Sequence, residues 1–162
     1  MNNSKLSIGT VQFGMQYGVA NNLKKTDVRH VVKILDTAHK EGINALDTAP
    51  IYGNSEVVLG EALCGQNWNI TTKIPPCEED VVSASYLKTI KKSLCHSLLS
   101  LGVQIVDGLL VHNCDDLFKP GGRDIFFELK KLQSLGLIKK IGVSVYTKDQ
   151  ILRVLDNFDI DL

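Results

Sequence analysis

Asp47, Tyr52, Lys73 and His112 are four residues of the types that move protons, and each falls at or just beyond the end of a short apolar run. Asp47 closes the run 43–47, Lys73 closes 69–73, His112 follows 105–111, and Tyr52 lies in the loop just after Asp47. Singly, each has a plain structural reading. A strand-terminal Asp can be a helix cap or loop anchor, a tyrosine can pack with its hydroxyl in water, and a histidine can sit satisfied in a core. Lysine at such a place is more unusual, because it is rarely buried unless paired.

Together the four make a coherent apparatus for reducing a carbonyl, which needs a hydride on carbon and a proton on oxygen. A free tyrosine, with a pKa of about 10, holds its proton too firmly to be an ideal acid near neutrality. A nearby ammonium stabilises the phenolate, and a carboxylate beside that ammonium keeps it charged and placed. A neutral imidazole can donate to the carbonyl oxygen and orient it. On this reading Tyr52 is the acid, Lys73 its tuner, Asp47 the anchor and His112 the orienting donor. No side chain supplies hydride, so the chemistry requires a nicotinamide cofactor.

The elements that must position these residues alternate in kind. Residues 6–10 can form a first strand, and Thr26 or Asp27 caps a helix in which Val28, Val31, Val32 and Leu35 recur at helical spacing. Gly42 ends that helix and 43–47 is the next strand. Ser55 opens a short helix through Leu63, and 69–73 is a third strand rich in β-branched residues. A longer helix carries Leu87, Ile90, Leu94, Leu98 and Leu101 on one face and stops at Gly102. The nearly all-apolar run 105–111 suits a strand buried on both sides. A helix over 123–135 ends at Gly136 and leads into the strand 140–144. Thr147 to Gln150 then reads as a capping box before a helical face of Ile151, Val154, Leu155 and Phe158. Residues 160–162 look like the start of a sixth strand.

This alternation predicts a parallel sheet with right-handed crossovers, either doubly wound or a (β/α)₈ barrel. The polar residues favour the barrel. Barrel chemistry sits at the C-terminal ends of the strands, where Asp47, Lys73, His112 and Ser144 all fall. A dinucleotide fold would place G-x-G-x-x-G after its first strand, and the spacing of Gly9, Gly14 and Gly18 does not match it.

Formal net charge is zero, with 18 Lys+Arg against 18 Asp+Glu, so no concentrated positive field points to nucleic acid or an anionic membrane. The apolar fraction of 44% is ordinary for a globular domain, no segment reaches membrane-spanning length, and the polar start suggests cytoplasm. Cys64, Cys77, Cys95 and Cys114 lack metal or disulfide spacing, as do the histidines, so no metal is expected and the thiols should be buried or half-buried.

Residues 42–56, reading Gly-Ile-Asn-Ala-Leu-Asp-Thr-Ala-Pro-Ile-Tyr-Gly-Asn-Ser-Glu, resemble the signature of the aldo-keto reductase superfamily. Thr71-Thr72-Lys73, Leu109-Leu110-Val111-His112 and Ile141-Gly142-Val143-Ser144 follow in that family's order and spacing. The opening Gly9-Thr10-Val11-Gln12-Phe13-Gly14 is similar to bacterial members found with surface-polysaccharide genes. The resemblance implies a TIM (β/α)₈ barrel and NADPH-dependent reduction of an aldehyde, ketone or sugar, with NADH not excluded. It implies that Asp47, Tyr52, Lys73 and His112 form the catalytic tetrad, and that Gly9, Thr10, Asp47 and Ser144 line the nicotinamide end of the cofactor site.

Two features depart from the family pattern. Val145 stands where the family often has Asn. A complete barrel takes about 250 residues, so residues 1–162 are expected to form a single partial barrel of about five β/α units and the start of a sixth strand. Three outcomes follow from that expectation. The chain is an active reductase with a small-molecule substrate, an inactive fragment that retains the tetrad, or a module that self-associates through its open edge.

Overall fold

A computed structural model describes residues 5–18, 25–63 and 65–162. Residues 1–4 and Cys64, on which some expectations above rest, lie outside the described residues.

Five strands, β1 (Ile8–Gly9), β2 (Ala45–Asp47), β3 (Asn69–Ile74), β4 (Val106–Val111) and β5 (Ile138–Val143), form one sheet. They pair in chain order, all parallel, and the sheet does not close on itself among the described residues. The helices between them are α1 (Val11–Gly14), α2 (Val28–Lys40), α3 (Ser55–Ala62), α4 (Ala84–Leu101), α5 (Arg123–Ser134) and α6 (Lys148–Leu155). This is an unclosed arc of a (β/α) barrel.

The apolar spacing read in the sequence is the packing observed. Val31 and Leu35 of α2, Ile90, Leu94, Leu98 and Leu101 of α4, and Ile125, Leu129 and Leu132 of α5 are buried with Leu46, Ile70, Leu109, Val111 and Ile141 of the strands. Asp27 caps α2 by accepting from the Arg29 amide, and Thr147 and Gln150 form the capping box of α6. Gly42, Gly102 and Gly136 take φ of 81°, 68° and 73°, the left-handed conformation that stops a helix and turns the chain toward a strand.

Three details differ from the sequence reading. The first strand is only Ile8–Gly9, because Thr10 leaves the extended region to open a short helical turn. A 3-10 turn at Cys114–Phe118, capped by Asn113, follows β4 where no element was expected. Cys77 and Cys114 are buried, but Cys95 is exposed, since it falls on the solvent side of α4. Residues 160–162 do run along the free edge of β5. Asp161 and Leu162 amides donate to the Ile141 carbonyl, and the Val143 amide donates to Leu162 at 3.1 Å. Gly142 leaves the room this needs, since a Cβ there would lie 2.7 Å from that of Leu162.

Candidate active site

The register of the sheet decides which side chains meet. Gly9 pairs with Asp47, Asp47 with Thr71, Lys73 with Leu110 and Leu110 with Gly142. Side chains two apart on a strand share a face. Gly9, Asp47, Lys73, His112 and Ser144 therefore all lie on one face of the sheet, at the C-terminal ends of successive strands. The Thr48 amide extends the ladder one step by donating to the Thr71 carbonyl, and a turn in which the Tyr52 amide donates to Ala49 swings Tyr52 over this rim. Gly53, at φ 62°, completes the turn where a side chain would be strained.

Lys73 is the centre of the arrangement. Its side chain is only 5% exposed, and burying an ammonium costs several kcal/mol unless it is paired. Lys73 Nζ donates to Asp47 Oδ1 at 2.5 Å and to the Thr48 carbonyl at 2.9 Å, which offsets that cost and fixes the head. The same ammonium lies 5.0 Å from the centroid of the Tyr52 ring. The rings of Tyr52 and His112 meet edge to face, with centroids 6.1 Å apart and an interplanar angle of 79°. The four sequence-predicted groups form one cluster.

The electrostatics bear on His112. Burial holds His112 below its ordinary pKa, and the neighbouring Lys73 charge adds to the effect against the opposing pull of Asp47 and Asp116. The imidazole is therefore neutral near pH 7. Its Nδ1 is buried and has no hydrogen-bond partner among the described residues. Nε2 is not enclosed in this way, so a neutral ring protonated there keeps its proton on the nitrogen that can donate it. A second tyrosine, Tyr86, is close to this end of β3 but is no rival as an acid. Its hydroxyl donates to the Pro75 carbonyl at 2.8 Å, and burial together with the Asp116 charge pushes its pKa well above the ordinary value.

Sequence reasoning missed the layer behind these groups. The Thr10 amide and hydroxyl both donate to the Asp47 carbonyl at 3.0 Å, and the Ser55 hydroxyl donates to the Thr10 carbonyl at 2.8 Å. Asp116, fully buried, accepts from the Cys77 amide at 2.9 Å and from Lys119 at 2.8 Å, tying the turn after β4 to the segment after β3. These partners are 37 to 45 residues apart, so only their polar types inside otherwise apolar surroundings could have signalled them.

Of the residues expected to line a nicotinamide, Gly9 is exposed, and a Cβ built there would meet nothing within 4 Å. Asp47 is 38% exposed and Ser144 half-buried on the same rim. Thr10 is fully buried, and its amide and hydroxyl are both engaged with the Asp47 carbonyl, so it supports Asp47 from behind. The open space at Gly9, on the same face as the paired Lys73, leaves room for a planar ring. A bound nicotinamide would supply the hydride there.

The model of the Aldo/keto reductase family matches residues 5–162. The 6-dehydroglucose reductase of Novosphingobium aromaticivorans is 31% identical over 93% of this chain and 52% of its own length. The chain thus spans about half the length of the curated relatives it matches. A crystal structure from Pseudomonas aeruginosa, assigned to the aldo-keto reductases, superposes with a TM-score of 0.76 at 34% identity, over 94% of this chain and 60% of that one. A Bombyx mori aldo-keto reductase solved in complex with NADP shares the fold, with a TM-score of 0.68 at 23% identity over 96% of this chain and 51% of that one.

Proposed function

Since the chain belongs to the Aldo/keto reductase family, we propose that it carries the proton-handling half of a nicotinamide-dependent carbonyl reductase, NADPH being the expected coenzyme and NADH the alternative. The observation that carries this reading is the Lys73 ammonium held between the Asp47 carboxylate and the Tyr52 ring, with neutral His112 at the ring's edge. The substrate is a small aldehyde, ketone or sugar-derived carbonyl, the last favoured by the relative named for 6-dehydroglucose. A cytoplasmic place of work belongs to the same proposal.

The residues then divide the work as follows. His112 donates from Nε2 to the carbonyl oxygen and sets its orientation. Tyr52 passes its hydroxyl proton to the oxygen as negative charge develops there. The phenolate left behind is stabilised by the Lys73 ammonium, and Asp47 with the Thr48 carbonyl keeps that ammonium in place. Gly9, Asp47 and Ser144 border the side from which hydride arrives, and Thr10 supports Asp47 from behind. Water enters afterwards to reprotonate Tyr52.

Titrating NADPH against the chain, read by nicotinamide fluorescence, tests the proposal. Saturable binding in the micromolar range is expected. A linear response with no saturation would defeat the reading for this chain and favour the inactive-fragment alternative.

A separate observation favours a second role for the edge of the sheet. A cavity of about 340 Å³ beside β5 is lined by Val143, Val145, Ile151, Leu155, Ile160 and Leu162. Apolar surface of this kind invites cover by another copy of the chain.

A further inference from the structure

Ser55 stands at the start of α3 but does not serve its own helix. Asn54 occupies the N-cap position, and the Ser55 hydroxyl instead reaches back 45 residues to Thr10, just after β1. It donates to the Thr10 carbonyl at 2.8 Å and lies 2.9 Å from the Thr10 hydroxyl. Both side chains are fully buried. Thr48 contributes a third hydroxyl, 3.4 Å from that of Ser55. The donor count closes. Ser55 donates to the Thr10 carbonyl, Thr10 donates to the Asp47 carbonyl, and Thr48 donates to Ser55, one proton each.

This cluster touches both halves of the proton machinery. Thr10 pins the carbonyl of Asp47, whose carboxylate holds Lys73. The Ser55 amide donates to the Tyr52 carbonyl at 3.1 Å, so Ser55 also fixes the peptide that carries the acid. The space around it is closed. A Cβ on Gly14 would lie 1.7 Å from the Tyr52 carbonyl oxygen and 2.4 Å from the Ser55 amide, and a Cβ on Gly53 would lie 2.6 Å from the Gly14 carbonyl oxygen. The turn after β1 is thus pressed directly on the Tyr52 loop, with the Ser55–Thr10 bond as its polar fastening.

We propose that Ser55 is a positioning residue, which through Thr10 locks the Tyr52 loop to the Asp47 strand end and so sets the distance between the Tyr52 hydroxyl and the Lys73 ammonium. It touches neither substrate nor cofactor. A misplacement of about 1 Å at a reacting group can cost about 100-fold in rate. Ser55→Ala should therefore lower kcat for carbonyl reduction by about 10- to 100-fold, with NADPH affinity changed by no more than about twofold.

The inference rests on the proposed function, so its decisive test needs no turnover. The phenolate absorbance of the protein is titrated against pH, and the same titration of Tyr52→Phe is subtracted to isolate the Tyr52 step. The experiment is repeated in the Ser55→Ala background. The isolated step is expected to lie at a different pH in Ser55→Ala, because the phenol no longer keeps its place relative to the ammonium. An unmoved step overturns the proposal. If the step moves while the parent protein reduces no carbonyl, positioning stands and the reductase reading falls. If the parent protein is active and the step stays put, the reverse holds. Should Ser55→Ala fail to fold, Thr10→Val removes the hydroxyl by which Thr10 passes the fastening on to the Asp47 carbonyl, at nearly constant shape, and Thr10→Ser retains it. The Val variant should shift the step and the Ser variant should not, and identical steps in both would overturn the proposal.

Discussion

At the scale of single residues, His112 is where protonation state and role are most tightly joined. Burial and the Lys73 charge hold it neutral, and Nε2 rather than the enclosed Nδ1 is the nitrogen that can donate. The folded pKa lies below the unfolded value of about 6.5, so the unfolded chain takes up the proton first as pH falls. The stability contributed by this residue is present above that value and is lost as pH drops through the folded pKa. The midpoint of the acid limb of reductase activity should therefore lie below pH 6.5, and that limb of kcat should be missing in His112→Gln. A rate profile whose acid limb lies at or above pH 6.5 would contradict a neutral donor. Asp47, Lys73 and His112 stood out in the sequence because they end or follow apolar runs, and Tyr52 because it stands in the loop directly after Asp47. Asp116 and the bonds that Thr10 and Ser55 make behind the site were not legible, because a buried hydroxyl or carboxylate takes its meaning from a partner far along the chain, and no local period carries that.

The secondary structure elements were the most readable level. Helical spacing in α2, α4 and α5, the Asp27 and Thr147 caps and the three terminal glycines are local signals that the structure uses as the sequence suggested, whereas on the expected face of α6 Ile151 and Leu155 are exposed. What failed to show were short elements governed by contact, namely the turn of α1 and the 3-10 turn after β4. The α6 cap is a clean test of the local argument, since the Thr147 hydroxyl accepts from the Gln150 amide and Gln150 reciprocates toward the Tyr146 and Thr147 amides. Thr147→Ala should cost about 1 kcal/mol in urea unfolding. A loss indistinguishable from zero would show that α6 is held by packing alone. The site itself should be little affected, because the tetrad hangs from β2, β3 and β4.

For the whole molecule, the sheet order and the family match agree on an arc of a (β/α) barrel whose rim already carries the tetrad. Among the described residues no helix is long and apolar enough to cross a membrane. The apolar groove beside β5 should drive association, so sedimentation velocity is expected to show mass rising with concentration, and Leu155→Glu, on a residue 60% exposed in that groove, should suppress it. A concentration-independent monomer would remove the second role proposed for that edge. The reductase claim is tested most directly by following NADPH absorbance as the chain meets a small aldehyde, beside the same measurement on Tyr52→Phe. The expected result is coenzyme oxidation by the parent protein and a loss of about 100-fold or more in the variant with coenzyme binding retained. Equal rates in the two proteins would contradict Tyr52 as the acid and, with it, the reading of this site.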